Sequence, residues 1–228
     1  MPESASAKVT VPPVRVVFEE NDRKEILKQI DECLSSGMVA AGKKVREFEE
    51  FWANYTRSKH AIACGSGGAA LEIIMRALDL KGKDVLVPTN TFIATVNAII
   101  FAGGNPVFLD TDPKSMGVSL NEIKSKLTKN TVGVIVVHIG GIISSEMEDI
   151  AQWCRQQHLW LVEDAAHAHG SEYNGKRAGQ FSLATAYSFF ATKVVTSGEG
   201  GMVVCNDDGL ADLCRSYRDY GKKSQWES

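Results

Sequence analysis

The sequence runs to 228 residues, 44% apolar and 23% charged, with a formal net charge of −3. This is the balance of a soluble chain able to bury a full core, and it gives no electrostatic footprint for nucleic acid or a membrane surface. One large α/β domain with short extensions is the expectation for this length.

Residues 1–20 read as an amino-terminal arm, since Pro12-Pro13 disfavours helix, and residues 21–228 as the domain itself. The start, MPESASAKVTVPP, has no apolar core of a secretory leader. The spacing predicts a helix over 21–36, with Ile26, Ile30 and Leu34 on one face and Gly37 as its stop. A second amphipathic segment, 43–57, carries Val45, Phe48, Phe51, Trp52 and Tyr55, aromatics expected to pack in the core.

From residue 60 strands and helices alternate. HAIAC (60–64) reads as a strand, GSGG (65–68) as a turn and 69–80 as a helix; DVLVP (84–88) is a strand and 91–101 a helix. PVFLD (106–110) is followed by a short helix at 120–127, then TVGVIVVH (131–138), then a helix opened by a capping box of Ser145 and Glu148. LWLVED (159–164) is the next strand, and Asn174-Gly175 signals a hairpin. Strands at 184–190 and 202–205 precede a last helix, 207–219, with Leu210, Leu213 and Tyr217 facing inward. Continuous rather than alternating apolar strands, separated by helices, argue a mostly parallel central sheet between helices.

Two residues stand out against that frame. Asp164 ends the strand at 159–164, and twenty-nine residues later Lys193 follows another strand. Open α/β sheets bind ligands beyond the carboxyl ends of their strands. A lysine and a carboxylate there suit a pyridine cofactor, with the amine forming a Schiff base and the carboxylate facing the ring nitrogen. This points to pyridoxal phosphate. The GSGG turn precedes a helix whose free amides make an anion site, where Ser66, Gly67, Gly68 and Ala69 can cradle the phosphate, and Ser188 can reach the same anion. Phe92 can cover one face of the ring, and His167 can meet its oxygen or back up Asp164, whereas His169 supports the fold.

Rival readings are weaker. Gly65, Gly67 and Ala70 match a dinucleotide fingerprint, but the following strand ends in Val87-Pro88 rather than in an acid. Glu163 and Asp164 as a glycosidase pair fail because adjacent strand residues point to opposite faces. The histidines share no ligand spacing, so no metal is assigned. Five dispersed cysteines without Cys-x-x-Cys suit a reducing, cytoplasmic setting, and the apolar run at 93–102 is too short to span a bilayer.

The strings VEDAAHAHG, NGKRAG, YSFFATK and SGEGGMVV, with GSGGAALE, PTNTFIATVNAI, FLDTDP and a final RDYG, closely resemble the DegT/DnrJ/StrS sugar-nucleotide aminotransferases. These are fold-type-I enzymes of the aspartate aminotransferase superfamily, and the resemblance covers roughly residues 14–221. It implies a large pyridoxal phosphate-binding domain, with Lys193 as Schiff-base lysine and Asp164 as pyridinium partner. It further implies His167 at the ring hydroxyl, Ser188 with the Gly68-Ala69 backbone at the phosphate, and Phe92 stacked on the ring. The implied reaction moves an amino group from glutamate, or a similar donor, to a keto group of a nucleotide-linked sugar or related cyclic ketone, in a homodimer. Gly68 stands where the family usually has Thr, Val194 replaces the common Asn, and the family's small carboxyl-terminal domain is absent from these residues. The alternatives are a non-catalytic or truncated remnant that binds cofactor or sugar, and a sugar dehydratase of the same fold. The dehydratase carries His at the lysine position.

Overall fold

The computed structural model describes residues 15–222; the remainder of the expected arm, residues 1–14, lies outside the described residues. The chain divides into two compact units, the first ending at Val39 and the second beginning at Ala40.

The first unit contributes one helix, α1 (Glu20–Ser36). Glu20 and Asp22 place negative charge in its first turn, where the helix dipole favours it. It ends at Gly37, whose positive φ of 71° lets its amide close on the Leu34 carbonyl. The stripe of Ile26, Ile30 and Leu34 is exposed.

The second unit opens with α2 (Lys43–Thr56), β1 (His60–Cys64), α3 (Gly67–Ala77), β2 (Asp84–Pro88) and α4 (Ile93–Phe101). It continues with β3 (Asn105–Leu109), α5 (Leu120–Ser125), β4 (Thr131–Val137), α6 (Met147–Gln156) and β5 (Trp160–Asp164). A two-stranded hairpin, β6 (Glu172–Tyr173) and β7 (Lys176–Arg177), leads to β8 (Ala184–Ser188), β9 (Gly201–Cys205) and α7 (Asp208–Arg218). Asn174 and Gly175 turn that hairpin with φ of 50° and 76°, as a tight primed turn requires.

Seven strands form one sheet in the order β1-β9-β8-β5-β4-β2-β3. Only the pairings with β9 are antiparallel, so six strands share one direction and β9 alone is reversed. The α/β class with a mostly parallel central sheet is therefore as the sequence implies. Side-chain parity sorts the strands onto two covered faces. Ile62, Val85, Val87, Ile135, Val162, Ala184, Ala186 and Val203 pack with α3, α4 and α7 residues. Leu86, Val134, Val136 and Leu161 pack on the other face with α5 and α6 residues, and Ala61, Tyr187, Met202 and Val204 with Trp52 of α2. Gly133 is needed where it stands, because a Cβ there would enter the ring of its cross-strand partner Trp160.

Three local expectations give way. Phe51 of α2 lies on the helix's outer side and is exposed, whereas Trp52 is buried in the core. The helix at α6 starts at Met147 behind Glu146, with no side-chain cap. Glu148 instead binds Lys176 and Asn174 of the hairpin turn, so the box with Ser145 does not form. In α7 the buried stripe is Leu210, Ala211 and Cys214, leaving Leu213 and Tyr217 exposed.

Candidate active site

The carboxyl ends of the parallel strands all open on one edge of the sheet, and every candidate residue is there. β1 runs into the amino terminus of α3, β2 into Thr91 and Phe92, β5 ends at Asp164, and β8 ends at Ser188 ahead of Lys193. Parity then chooses the face. Asp164 and Ser188 continue the Val162 and Ala186 series, which faces α3 and α4. Glu163 points to the opposite side, as adjacent strand residues must.

Asp164 is 4% exposed and firmly held. Its Oδ2 accepts the Thr95 hydroxyl at 2.7 Å, its Oδ1 accepts the Ala166 amide at 3.1 Å, and its main-chain oxygen accepts the His138 amide. Lys193 follows a turn closed by its own amide on the Phe190 carbonyl. Partial burial lowers the Lys193 pKa, against the opposing pull of the Asp164 charge. His167 is lowered by burial first and by Lys193 next, with Asp164 again opposing. These three groups thus sit within one another's fields. The Gly140 amide donates to His167 Nδ1 at 3.3 Å, which sets that nitrogen as the acceptor.

Beside them lies an anion cradle. Ser66 caps α3, its Oγ accepting the Ala69 amide at 3.0 Å. Gly67 and Gly68 occupy the first helical positions, where amides have no acceptor within the helix. Gly67 also touches Ser188: a Cβ on it would meet Ser188 Cβ at 2.7 Å. Gly201 closes the back of the cradle, since a Cβ there would run into the Ser66 carbonyl and lie 2.8 Å from the Gly67 nitrogen. Glycine at both positions lets helix, serine and strand meet at van der Waals distance. Phe92, just before α4, is 74% exposed, so it is not a core residue.

Behind this edge sits a buried pair that the spacing of residues did not reveal. His138 Nε2 lies 2.9 Å from Glu163 Oε2, with both side chains almost fully buried. Burial by itself would raise the Glu163 pKa, but His138, the Gly179 amide and the Ser182 hydroxyl outweigh it and hold the carboxyl below its usual range. His169 stacks among Trp52, Tyr187 and Phe189, a fold-supporting place. Burial pushes its pKa down to about 4, against an opposing hydrogen bond with the Ser188 main chain. Thr95 and Thr91 were also silent in the sequence; their i, i+4 spacing at the start of an apolar helix is the one signal that could have exposed them. Among the described residues no helix is long and apolar enough to cross a membrane.

A buried carboxylate within the field of a lysine lies next to free amides and a hydroxyl, at the carboxyl edge of a mostly parallel sheet. Residues 20–228 match the DegT/DnrJ/EryC1/StrS aminotransferase family, and the chain belongs to it. The family's cofactor is pyridoxal phosphate, and the donor set here fits it: an amine, a carboxylate within whose field the amine lies, and a cradle that two glycines keep open.

Among its relatives, GDP-perosamine synthase of Vibrio cholerae is 37% identical over 213 residues, which is 92% of this chain and 57% of that protein. The dTDP-3-amino-3,6-dideoxy-alpha-D-galactopyranose transaminase of Aneurinibacillus thermoaerophilus is 36% identical, over 90% of this chain and 57% of its own length. An aminotransferase structure from Psychrobacter cryohalolentis superposes with a TM-score of 0.85 at 33% identity, covering 92% of this chain and 53% of that one. The chain therefore spans about half the length of the relatives it matches.

Proposed function

We propose that this chain is the cofactor-binding half of a pyridoxal phosphate-dependent aminotransferase. It would move an amino group from glutamate, or a similar donor, to a keto group of a nucleotide-linked sugar or related cyclic ketone. The observation that carries the reading is the meeting of Lys193, Asp164 and His167 on the edge that also presents Ser188 and the first turn of α3.

When bound, pyridoxal phosphate supplies an electron sink for the carbanion left at the donor's α-carbon. The chain's own residues do the rest. Lys193, with its pKa lowered by burial, keeps a larger neutral fraction, which serves both its attack on an aldehyde and its later carrying of a proton between carbons. Asp164 receives the ring N–H, and the opposite charge keeps that nitrogen protonated. His167 stands where it can meet the ring oxygen. Ser188 and the amides of Gly67 and Gly68 take the phosphate, while Ala69, whose amide is spent on Ser66, keeps the first turn helical. The exposed Phe92 ring is free to stack on the pyridine.

The kinds of substrate named for the relatives, GDP- and dTDP-linked amino sugars, support a nucleotide-linked acceptor. Lys193 argues against the dehydratase alternative, which carries histidine there. A homodimer is favoured by the apolar face of α4, where Ile93, Ile100 and Phe101 are all exposed. Five unpaired cysteines favour the cytoplasm.

The test is reduction with borohydride of the chain mixed with pyridoxal phosphate, followed by peptide mass mapping. A phosphopyridoxyl group on Lys193, absent in Lys193→Ala, is expected. Labelling elsewhere, or an unchanged visible band in Lys193→Ala, would overturn the assignment.

A further inference from the structure

The carboxylate of Asp164 is not alone behind the site. Thr95, fully buried on α4, donates to its Oδ2 at 2.7 Å, and Thr91 Oγ1 lies 2.7 Å from Thr95 Oγ1. An ionised carboxylate can only accept. The single Thr95 hydroxyl proton is therefore committed to Asp164, and the contact between the threonines must run from Thr91 to Thr95. The result is a directed chain, Thr91 to Thr95 to Asp164, in which each donor polarises the next. The Ala166 amide on Oδ1 fixes the other oxygen. With one donor on each oxygen, the plane of the carboxylate is set before any ligand arrives.

We propose that Thr95, backed by Thr91, is a positioning residue for Asp164: it fixes the carboxylate so that the protonated nitrogen of a pyridine ring meets an oxygen with a lone pair already aimed at it. This rests on the assignment of Asp164 made above. Pre-set geometry of this kind strengthens an interaction by removing the cost of ordering the partner on binding. Without the hydroxyl, Oδ2 loses its only side-chain donor in a place where water has little access, and the carboxylate is free to turn toward the Ala166 amide.

The experiment compares the parent chain, Thr95→Val, Thr95→Ser and Thr91→Val for binding of two ligands, followed by quenching of tryptophan fluorescence. One ligand is pyridoxal phosphate; the other is its 1-deaza analogue, in which carbon replaces the ring nitrogen. Loss of one charge-assisted bond sets the expected scale. Thr95→Val is expected to weaken pyridoxal phosphate roughly tenfold and leave the deaza analogue unchanged, with Thr95→Ser close to the parent for both. Thr91→Val, which spares the bond to Asp164, is expected to lose about two- to threefold for pyridoxal phosphate alone. It carries the test if Thr95→Val does not fold. Equal binding of pyridoxal phosphate by parent and valine variants, or equal losses for both ligands, would overturn the inference while leaving the cofactor assignment intact. A parent chain that binds neither ligand would overturn the assignment and this inference together.

Discussion

Replacing Glu163 by Gln removes one charge and adds one proton pair in a place with no room for either. In the parent, Oε2 accepts from His138 Nε2 at 2.9 Å and from the Gly179 amide at 3.0 Å. Oε1 accepts from the Ser182 hydroxyl at 2.7 Å, and from the Phe181 amide and Thr185 hydroxyl at 3.3 Å. A glutamine must turn its NH2 toward one of these groups. Hydroxyls can rotate and a histidine can change tautomer, but a backbone amide cannot become an acceptor. Whichever way the glutamine lies, Gly179 or Phe181, both buried, loses its partner. An orphaned buried donor costs about 1–3 kcal/mol, and the remaining bonds lose their charge assistance. The expected loss is about 3 kcal/mol, or a Tm lower by about 6–12 °C for a chain of this size. The pH dependence supplies a second mark. Because the folded carboxyl titrates below its ordinary value of 4.5, its contribution is complete above that pH and is lost as pH falls through the folded value. The gap between parent and Glu163→Gln should therefore be constant near neutrality and narrow in acid. Urea titrations from pH 7 down to pH 3 measure it. A variant within about 1 kcal/mol of the parent at pH 7, or a gap that does not narrow in acid, would refute the reasoning.

Two further outcomes are expected. Gly201→Ala sets a methyl against the main-chain carbonyl of Ser66, which cannot rotate away. It should lower stability by about 3 kcal/mol and weaken pyridoxal phosphate binding, and urea midpoints equal to the parent's would contradict the packing described. For His169 the sign runs the other way from a paired histidine. Its folded pKa, about 4, lies below the ordinary 6.5, so the unfolded chain binds the extra proton and stability falls as pH drops through that window. His169→Phe keeps the aromatic packing with Trp52 and Phe189 and should flatten that part of the curve. Parallel curves for the two proteins would count against a buried neutral imidazole.

The strand-end positions were legible because their logic is one-dimensional. A continuous apolar run places its last residue at the sheet edge, so Asp164 and Ser188 could be located from their own segments, and Lys193 from the segment after. Gly67 and Gly68 read as a turn ahead of the helix, whereas α3 already begins at Gly67. What was not legible depends on strands far apart in sequence coming into register. His138 meets Glu163 because β4 and β5 pair with Val136 beside Glu163 and Val137 beside Asp164. Thr95 meets Asp164 because the first turn of α4, from a different crossover, reaches the end of β5. The failed capping box has a similar cause. Ser145 and Glu148 have the spacing, but a lysine and an asparagine from the later hairpin compete for the glutamate and win. In α7 the apolar residues are more numerous than the helix can bury, and the turn chosen is Leu210, Ala211 and Cys214.

The reversed strand has a consequence for how the molecule comes into being. Among the described residues β1 pairs with no strand but β9, and the cradle at the start of α3 hangs from the end of β1. As the polypeptide leaves the ribosome, β1 is made early and must wait, unpaired, until residues 201–205 arrive. Closing so long a loop is slow, and non-local pairings of this kind govern folding rate. β9 also pairs with β8, so the same event fixes both ends of the segment that carries Lys193. The anion cradle and the segment that carries Lys193 are thus brought together in one late step, once β9 has docked.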